Sequence, residues 1–164
     1  MPNDDAFADW IAPHLPALRR LSRAFAPPAD QADLLQELLI AVWKAHSVFR
    51  GESSAATFVY RVAHNRALTW KRREGLRLMR LFETQRDGPE RLAPEPPDKR
   101  LDQVFEALRE LPPLDRSLML LWLEQTPYAD MAAVHGLSES HVGVRLNRAR
   151  ARLANLIHEI SDAD

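Results

Sequence analysis

A proline-rich segment divides this chain into two parts. From Phe82 to Lys99 the sequence reads FETQRDGPERLAPEPPDK, with four prolines, one glycine and no hydrophobic period. Proline does not continue a helix, and so few apolar residues leave the segment little to bury. The sequence therefore predicts a flexible linker over residues 82–99 that joins two small domains, residues 1–81 and 100–164.

Both parts have apolar residues at helical spacing. In the first part the apolar stripe comprises Leu34, Leu35, Leu38, Leu39 and Val42. In the second part the stripe of the last segment comprises Val142, Leu146, Ala149 and Leu153. The sequence has no run of alternating valine, isoleucine and threonine, which strands would favour. We therefore predict an all-α fold of two small helical domains.

The first part is predicted to contain a helix, a loop and a longer helix after an N-terminal helical region. Pro27-Pro28 ends that region, and Asp30 is the expected N-cap of a helix that ends near His46. Polar residues around Gly51 form the loop. The next helix carries Phe58 and Trp70 on its apolar side and runs into basic residues.

The second part ends in a pattern typical of a helix-turn-helix. Pro112-Pro113 stops one helix, and a short helix from Tyr128 to Val134 follows further on. His135-Gly136 supplies a tight turn, and Ser138 is the expected N-cap of the last helix. The pattern places exposed side chains of that helix where major-groove readers have them. An ordinary helical hairpin with a solvated charged face is the alternative.

The charges are unevenly distributed along the chain. The formal net charge is -1, yet residues 50–80 contain eight basic and two acidic residues. Such a local positive field on a helix indicates a polyanionic partner, and the interleaved aromatic residues suit single-stranded DNA. The alternative interpretation is that the cations form a solubilising face over a core that includes Phe58 and Trp70.

Several classes of function are disfavoured. The six histidines are scattered, with no metal-binding motif, no glycine-rich phosphate loop and no nucleophile elbow. We therefore expect no enzyme activity, no metal and no cofactor. The chain has no cysteine, an acidic N-terminus and no long apolar run, which predicts a cytoplasmic protein without membrane insertion of its own.

Taken together, the two parts resemble the extracytoplasmic-function (group 4) sigma factors of bacterial RNA polymerase. The string DLLQELLIAVWKA from Asp33 resembles the region 2 helix that meets the polymerase clamp, which assigns Asp33, Gln36 and Glu37 to core polymerase binding. The string from Phe49 resembles the loop and helix that capture bases of the minus-ten element. The resemblance assigns to that element the residues Arg50, Gly51, Glu52, Ser53, Ser54, Tyr60, Arg61, Asn65, Arg66 and Lys71.

The string from Ala107 to Ile157 resembles region 4, which reads the minus-thirty-five element. The residues assigned to this role are Ser138, Glu139, Ser140, His141, Val144, Arg145 and Arg148. Gly143 departs from the usual basic run, which predicts weak or unusual binding of the upstream element. The resemblance implies core RNA polymerase, promoter DNA and an anti-sigma factor as partners. The second hypothesis is a sigma-like regulator or decoy that acts through a protein partner.

Overall fold

The computed structural model describes residues 4–81 and 98–163, and of residues 71, 72 and 74–81 it describes the backbone alone. These residues form eight α-helices and two short 3-10 turns, with no strand in the ranges described. The helices are α1 (Asp4–Ile11), α2 (Leu15–Phe25), α3 (Gln31–His46), α4 (Ala55–Leu81), α5 (Lys99–Arg109), α6 (Pro113–Leu123), α7 (Tyr128–His135) and α8 (Glu139–Ala163). The predicted all-α fold is confirmed.

Helices α2, α3 and α4 pack around the core of the first domain. Helix α2 packs on α3, and Leu18 and Leu21 of α2 and Leu34 and Leu38 of α3 are fully buried in this core. Alanines at positions 63 and 67 of α4 are buried as well, and small residues let helix backbones approach closely. The stripe predicted on α3 is confirmed in its centre, with Leu35 and Leu39 at its margins.

An aromatic cluster ties α1 to the start of α4. The ring of Trp10 lies 4.4 Å from that of His46 and 5.7 Å from that of Phe49, between centroids. Phe49 in turn lies 4.8 Å from Phe58. Such tilted aromatic pairs add to the free energy gained from burial. The loop between α3 and α4 is thus anchored through Phe49, which packs between Trp10 of α1 and Phe58 of α4.

Helices α5 to α8 form the second domain, whose buried residues belong to the same hydrophobic cluster as those of the first domain. Its largest buried apolar side chains include Leu108, Leu118, Met131 and Leu146. Arg116 is also buried, with only 1% of its surface exposed. Its guanidinium donates hydrogen bonds to the carbonyls of Leu108, Arg109 and Leu111. The carbonyls at the end of α5 and just beyond it are thereby satisfied by a side chain from α6.

The structure refines the sequence predictions at three helix ends. Pro113 begins α6 and does not merely stop α5, because proline is well accommodated in the first turn of a helix. Asp30 stands at the N-cap position of α3 without a side-chain capping hydrogen bond, since a 3-10 turn precedes the helix. Asp98 caps α5 and Lys99 begins it, and the rest of the predicted linker, residues 82–97, lies outside the described residues.

The two domains contact each other directly. Helix α2 packs on α5 and α6, and α4 packs on α7. The chain therefore brings the basic helix α4 against the helix-turn-helix, and residues of both domains share one interface.

Candidate polymerase and nucleic-acid surfaces

One exposed face of α3 carries the three residues assigned to polymerase. Gln36 is exposed, and Asp33 and Glu37 are half-buried. Ile40 and Trp43 continue this face along the helix and are 51% and 40% exposed. Neither residue was predicted from the sequence as part of this surface, because an apolar residue in an apolar-rich helix is normally part of the core. Their spacing from Asp33 follows the helical period and could have revealed them.

Glu37 is bound by two cations of the basic helix. Its Oε2 lies 2.7 Å from Nη2 of Arg66, and its Oε1 lies 3.6 Å from Nη1 of Arg73. These partly exposed ion pairs each contribute at most about 1 kcal/mol. In this arrangement a residue assigned to polymerase and a residue assigned to DNA are partners of each other.

The loop assigned to base capture is largely open to solvent. Arg50, Gly51, Glu52 and Ser54 are exposed, and Ser53 is half-buried. Gly51 has a φ of 72°, a backbone conformation that glycine adopts without strain. The hydroxyl of Ser54 accepts a hydrogen bond from the backbone N–H of Thr57 at 3.1 Å. Ser54 therefore caps α4, a structural role in addition to the predicted one.

Helix α4 presents its assigned residues unequally. Asn65 is exposed and Arg66 is half-buried, whereas Tyr60 is only 4% exposed. The Tyr60 hydroxyl donates to the Ser117 carbonyl at 3.4 Å, a long contact, and burial raises the pKa of this phenol. Arg61 donates to the carbonyl of Ala133 at 3.3 Å. The side chain of Lys71 lies outside the described residues.

The helix-turn-helix has the predicted geometry. Gly136 ends α7 with a φ of 65° in the left-handed region, and glycine is favoured there. The hydroxyl of Ser138 accepts a hydrogen bond from the N–H of His141 at 3.1 Å, which confirms it as the N-cap of α8. The predicted buried side of α8 is also confirmed, with Val142, Leu146, Ala149 and Leu153 in the core.

The opposite side of α8 is free for contacts. Ser138, Glu139, Ser140, His141, Val144 and Arg148 are all exposed. Arg145 is different, because its Nε donates to Oδ1 of Asp115 at 2.8 Å. Asp115 of α6 therefore pairs with Arg145, one of the arginines assigned to DNA binding.

Gly143 lies close to the ring of Tyr128. A Cβ at position 143 would be 3.5 Å from Cε2 of that ring, an ordinary van der Waals distance. Steric crowding therefore does not require glycine here, and glycine in a helix costs about 1 kcal/mol relative to alanine.

Two histidines meet at the domain interface. His64 of α4 and His135 of α7 have ring centroids 4.5 Å apart in an edge-on arrangement, and Nε2 of His135 lies 3.3 Å from the Ser117 hydroxyl. Burial lowers the pKa of His64 to about 4. Burial, and secondarily His64, lowers the pKa of His135 to about 3. Both imidazoles are therefore neutral at pH 7.

Within residues 4–81 and 98–163, no three or more histidine, aspartate or glutamate side chains are grouped so that they could hold a metal ion. Over the same residues, none of the helices has both the length and the apolar character to cross a membrane.

Known families match both domains. Sigma-70 region 2 matches residues 10–87, and sigma-70 region 4 matches residues 101–153. Together the two matches cover well over half of the chain, and they include α3, α4 and the helix-turn-helix. The chain belongs to the sigma-70 family of RNA polymerase sigma factors, which are transcription initiation factors. Its relatives identify it more narrowly as an extracytoplasmic-function sigma factor.

Among those relatives is the RNA polymerase sigma factor CnrH of Cupriavidus metallidurans, 29% identical over 99% of this chain and 90% of the relative. The ECF sigma-E factor of Escherichia coli K12 is 26% identical over 83% of this chain and 78% of its own length. Among solved structures, RpoE of Bartonella quintana in complex with the anti-sigma factor NepR shares the fold, with a TM-score of 0.73, 22% identity and coverage of 93% of this chain and 97% of RpoE. CnrH in complex with the cytosolic domain of CnrY gives a TM-score of 0.66 at 26% identity, over 99% and 92% of the two chains.

Proposed function

We propose that this sigma factor meets polymerase and promoter through three surfaces. The exposed face of α3 contacts core polymerase, the loop over residues 50–54 and α4 contact the minus-ten element, and the first turns of α8 read the minus-thirty-five element. The observation that carries this proposal is the helix-turn-helix, in which an N-capped α8 presents polar side chains to solvent opposite its buried stripe. Major-groove readers dock in this geometry.

The polymerase surface is argued from its mixed character. Polar groups at Asp33 and Gln36 lie beside the exposed side chains of Ile40 and Trp43. A strip of exposed apolar side chains rimmed by polar ones is typical of a protein-binding surface. We therefore add Ile40 and Trp43 to the residues proposed to contact polymerase.

The domain division supports a two-site mode of promoter binding. We propose domains over residues 1–81 and 100–164 and a linker over 82–99. Each domain contributes few base contacts, so linkage of two weak sites on one polymerase supplies the specificity. The protein acts in the cytoplasm, performs no chemistry and needs no cofactor.

An anti-sigma factor is a further proposed partner. RpoE of Bartonella quintana was solved with the anti-sigma factor NepR, and CnrH with the cytosolic domain of CnrY. The similarity of this chain to both supports a protein partner of the same kind.

The test is run-off transcription with core polymerase on a pool of promoter fragments. We expect promoter-specific initiation by the unmodified protein and its loss in Asp33→Ala/Gln36→Ala, with retained helicity by circular dichroism. Glu37 is left unchanged, since its removal would also free Arg66 and Arg73. Asp9→Ala, at an exposed position of α1, is the matched control. Failure of the unmodified protein to bind core polymerase would instead favour a sigma-like regulator.

A further inference from the structure

The loop over residues 50–54, proposed to capture a base of the minus-ten element, is attached to the rest of its domain mainly at its two ends. Over the described residues, the backbone of residues 50–53 makes no hydrogen bond with other backbone groups. A Cβ at Gly51 would find no atom within 4 Å, so the loop stands clear of the domain at that point. Ser54 caps α4 at the far end of the loop. The path of the loop therefore depends on how each end is attached.

The near end of the loop is attached through Phe49. Its backbone N–H donates to the carbonyl of His46 at 3.1 Å. Its ring packs between those of Trp10 and Phe58, with centroid separations of 5.7 Å and 4.8 Å. Neither Trp10 nor Phe49 was assigned to the site from the sequence, yet Phe49 is the residue that leads into the loop and Trp10 is one of the two rings that hold it.

Trp10 is the central ring of an aromatic cluster. It contacts each of the other rings in this cluster, which comprises Phe7, Trp10, His46, Phe49 and Phe58. The Nδ1 atom of His46 is shielded from solvent and has no hydrogen-bond partner among the described residues, so ring packing holds this imidazole. Phe7 differs from Trp10, because over the described part of the chain its ring contacts are with Trp10 and His46 and not with Phe49.

We propose that Trp10 is a positioning residue for minus-ten recognition: through Phe49 it fixes the path of the loop over residues 50–54, and so sets how selectively the loop accepts its base. The inference rests on the proposed role of this loop in base capture. A loop that is ordered before binding loses less conformational entropy when it closes on a base. It also rejects a wrong base better, because its polar groups are held where that base would leave them unpaired. Gly51, with a φ of 72°, adds backbone freedom inside the loop, so the order has to come from the ends.

Three variants separate this role from a general contribution to stability. Trp10→Leu removes the ring contact with Phe49 and keeps an apolar side chain at position 10. Trp10→Phe is the conservative variant, in which an aromatic ring is again available to Phe49. Phe7→Leu is the matched control, since it removes another half-buried ring of the same cluster that contacts Trp10 and not Phe49. Urea unfolding followed by circular dichroism measures the stability of all three.

The readout is run-off transcription with core polymerase on the fragment that the unmodified protein selects from the promoter pool, with each position of its minus-ten element randomised in turn. The preference at a position is the ratio of initiation with the best base to initiation with the other three. We expect Trp10→Leu to lower this preference about tenfold at the one position read by the loop and to leave the other positions unchanged. Trp10→Phe should restore most of the preference, and Phe7→Leu should retain it in full.

An equal loss of preference in Trp10→Leu and Phe7→Leu would overturn the proposal, since the loop would then respond to the stability of the cluster and not to the contact with Phe49. A loss spread evenly over all positions would do the same. If Trp10→Leu does not fold, Phe49→Leu removes the same contact from the other side and should show the same loss at one position. A protein that initiates from no fragment refutes the proposed function and this inference with it, whereas initiation with an unaltered preference refutes the inference alone.

Discussion

The guanidinium carbon of Arg116 lies 4.8 Å from the ring centroid of Phe25, so a buried cation of the second domain rests on an aromatic residue of the first. Burial lowers the pKa of Arg116 to about 10, yet the group stays charged at pH 7. No carboxylate is among its hydrogen-bond partners over the described residues, which are three backbone carbonyls. Arg116 therefore both supplies hydrogen-bond donors to the carbonyls at the end of α5 and packs in the domain interface.

Arg116→Met should destabilise the second domain by about 3 kcal/mol. The substitution keeps much of the apolar length but leaves the carbonyls of Leu108, Arg109 and Leu111 without their donor. Urea unfolding followed by circular dichroism measures the change. Arg152→Met, at an exposed position of the same domain, is the control and should stay within about 0.5 kcal/mol. Equal effects at the two positions would contradict the structural role of Arg116.

Acidification should open the domain interface. While the two domains are packed together, the pKa values of His64 and His135 are about 4 and 3, below the ordinary 6.5. The packed form therefore binds fewer protons than a form in which the domains have separated and exposed the two imidazoles. The contact between the domains is then at its most stable above pH 6.5 and becomes less stable as the pH falls towards 4. Among the described residues, the Phe25 ring contacts His64 and the Ser117 hydroxyl contacts His135, and neither contact group titrates in this range.

Energy transfer between labels on the two domains, measured from pH 7.5 to pH 5, would detect this opening. In His64→Leu/His135→Leu the domains should stay closed over the same range, because the pair no longer takes up protons. A pH response that survives this double substitution would assign the effect to other groups.

Gly143→Ala should stabilise α8 by about 0.5–1 kcal/mol, since alanine is the better helix former and its Cβ would meet Tyr128 only at van der Waals distance. Thermal unfolding measures the gain. Gly143→Ile is the contrasting variant, because its larger side chain would press on the Tyr128 ring. Destabilisation by alanine itself would show that the backbone at position 143 needs glycine.

Asp115→Asn should strengthen binding of duplex DNA that contains the minus-thirty-five element. The substitution releases Arg145 from its ion pair, and one additional cation near the phosphates should raise affinity several-fold at low salt. Fluorescence anisotropy with core polymerase present measures the affinity. In Asp115→Asn/Arg145→Ala the gain should disappear, whereas its persistence would indicate that Arg145 does not face the DNA.

Ser138→Ala should cost about 1 kcal/mol by removing the cap on the N–H of His141. Ser138→Asp keeps a capping oxygen and places a negative charge at the helix N-terminus, so it should preserve the unfolding free energy while weakening DNA binding. Urea unfolding and anisotropy together separate the two effects. If both variants bind DNA as the unmodified protein does, Ser138 acts only as the cap.

The sequence by itself determined the local structure of this protein. Helical periodicity defined the buried sides of α3 and α8, and Gly136 with Ser138 defined the turn between α7 and α8, because backbone conformation and capping depend on neighbouring residues. Tertiary structure alone decided the partners of the charged and aromatic groups. The Tyr60 hydroxyl contacts the Ser117 carbonyl, Glu37 forms an ion pair with Arg66, and Arg145 forms one with Asp115. Such pairings join residues far apart in the chain, and helical period shows which face a residue occupies without showing what will cover that face.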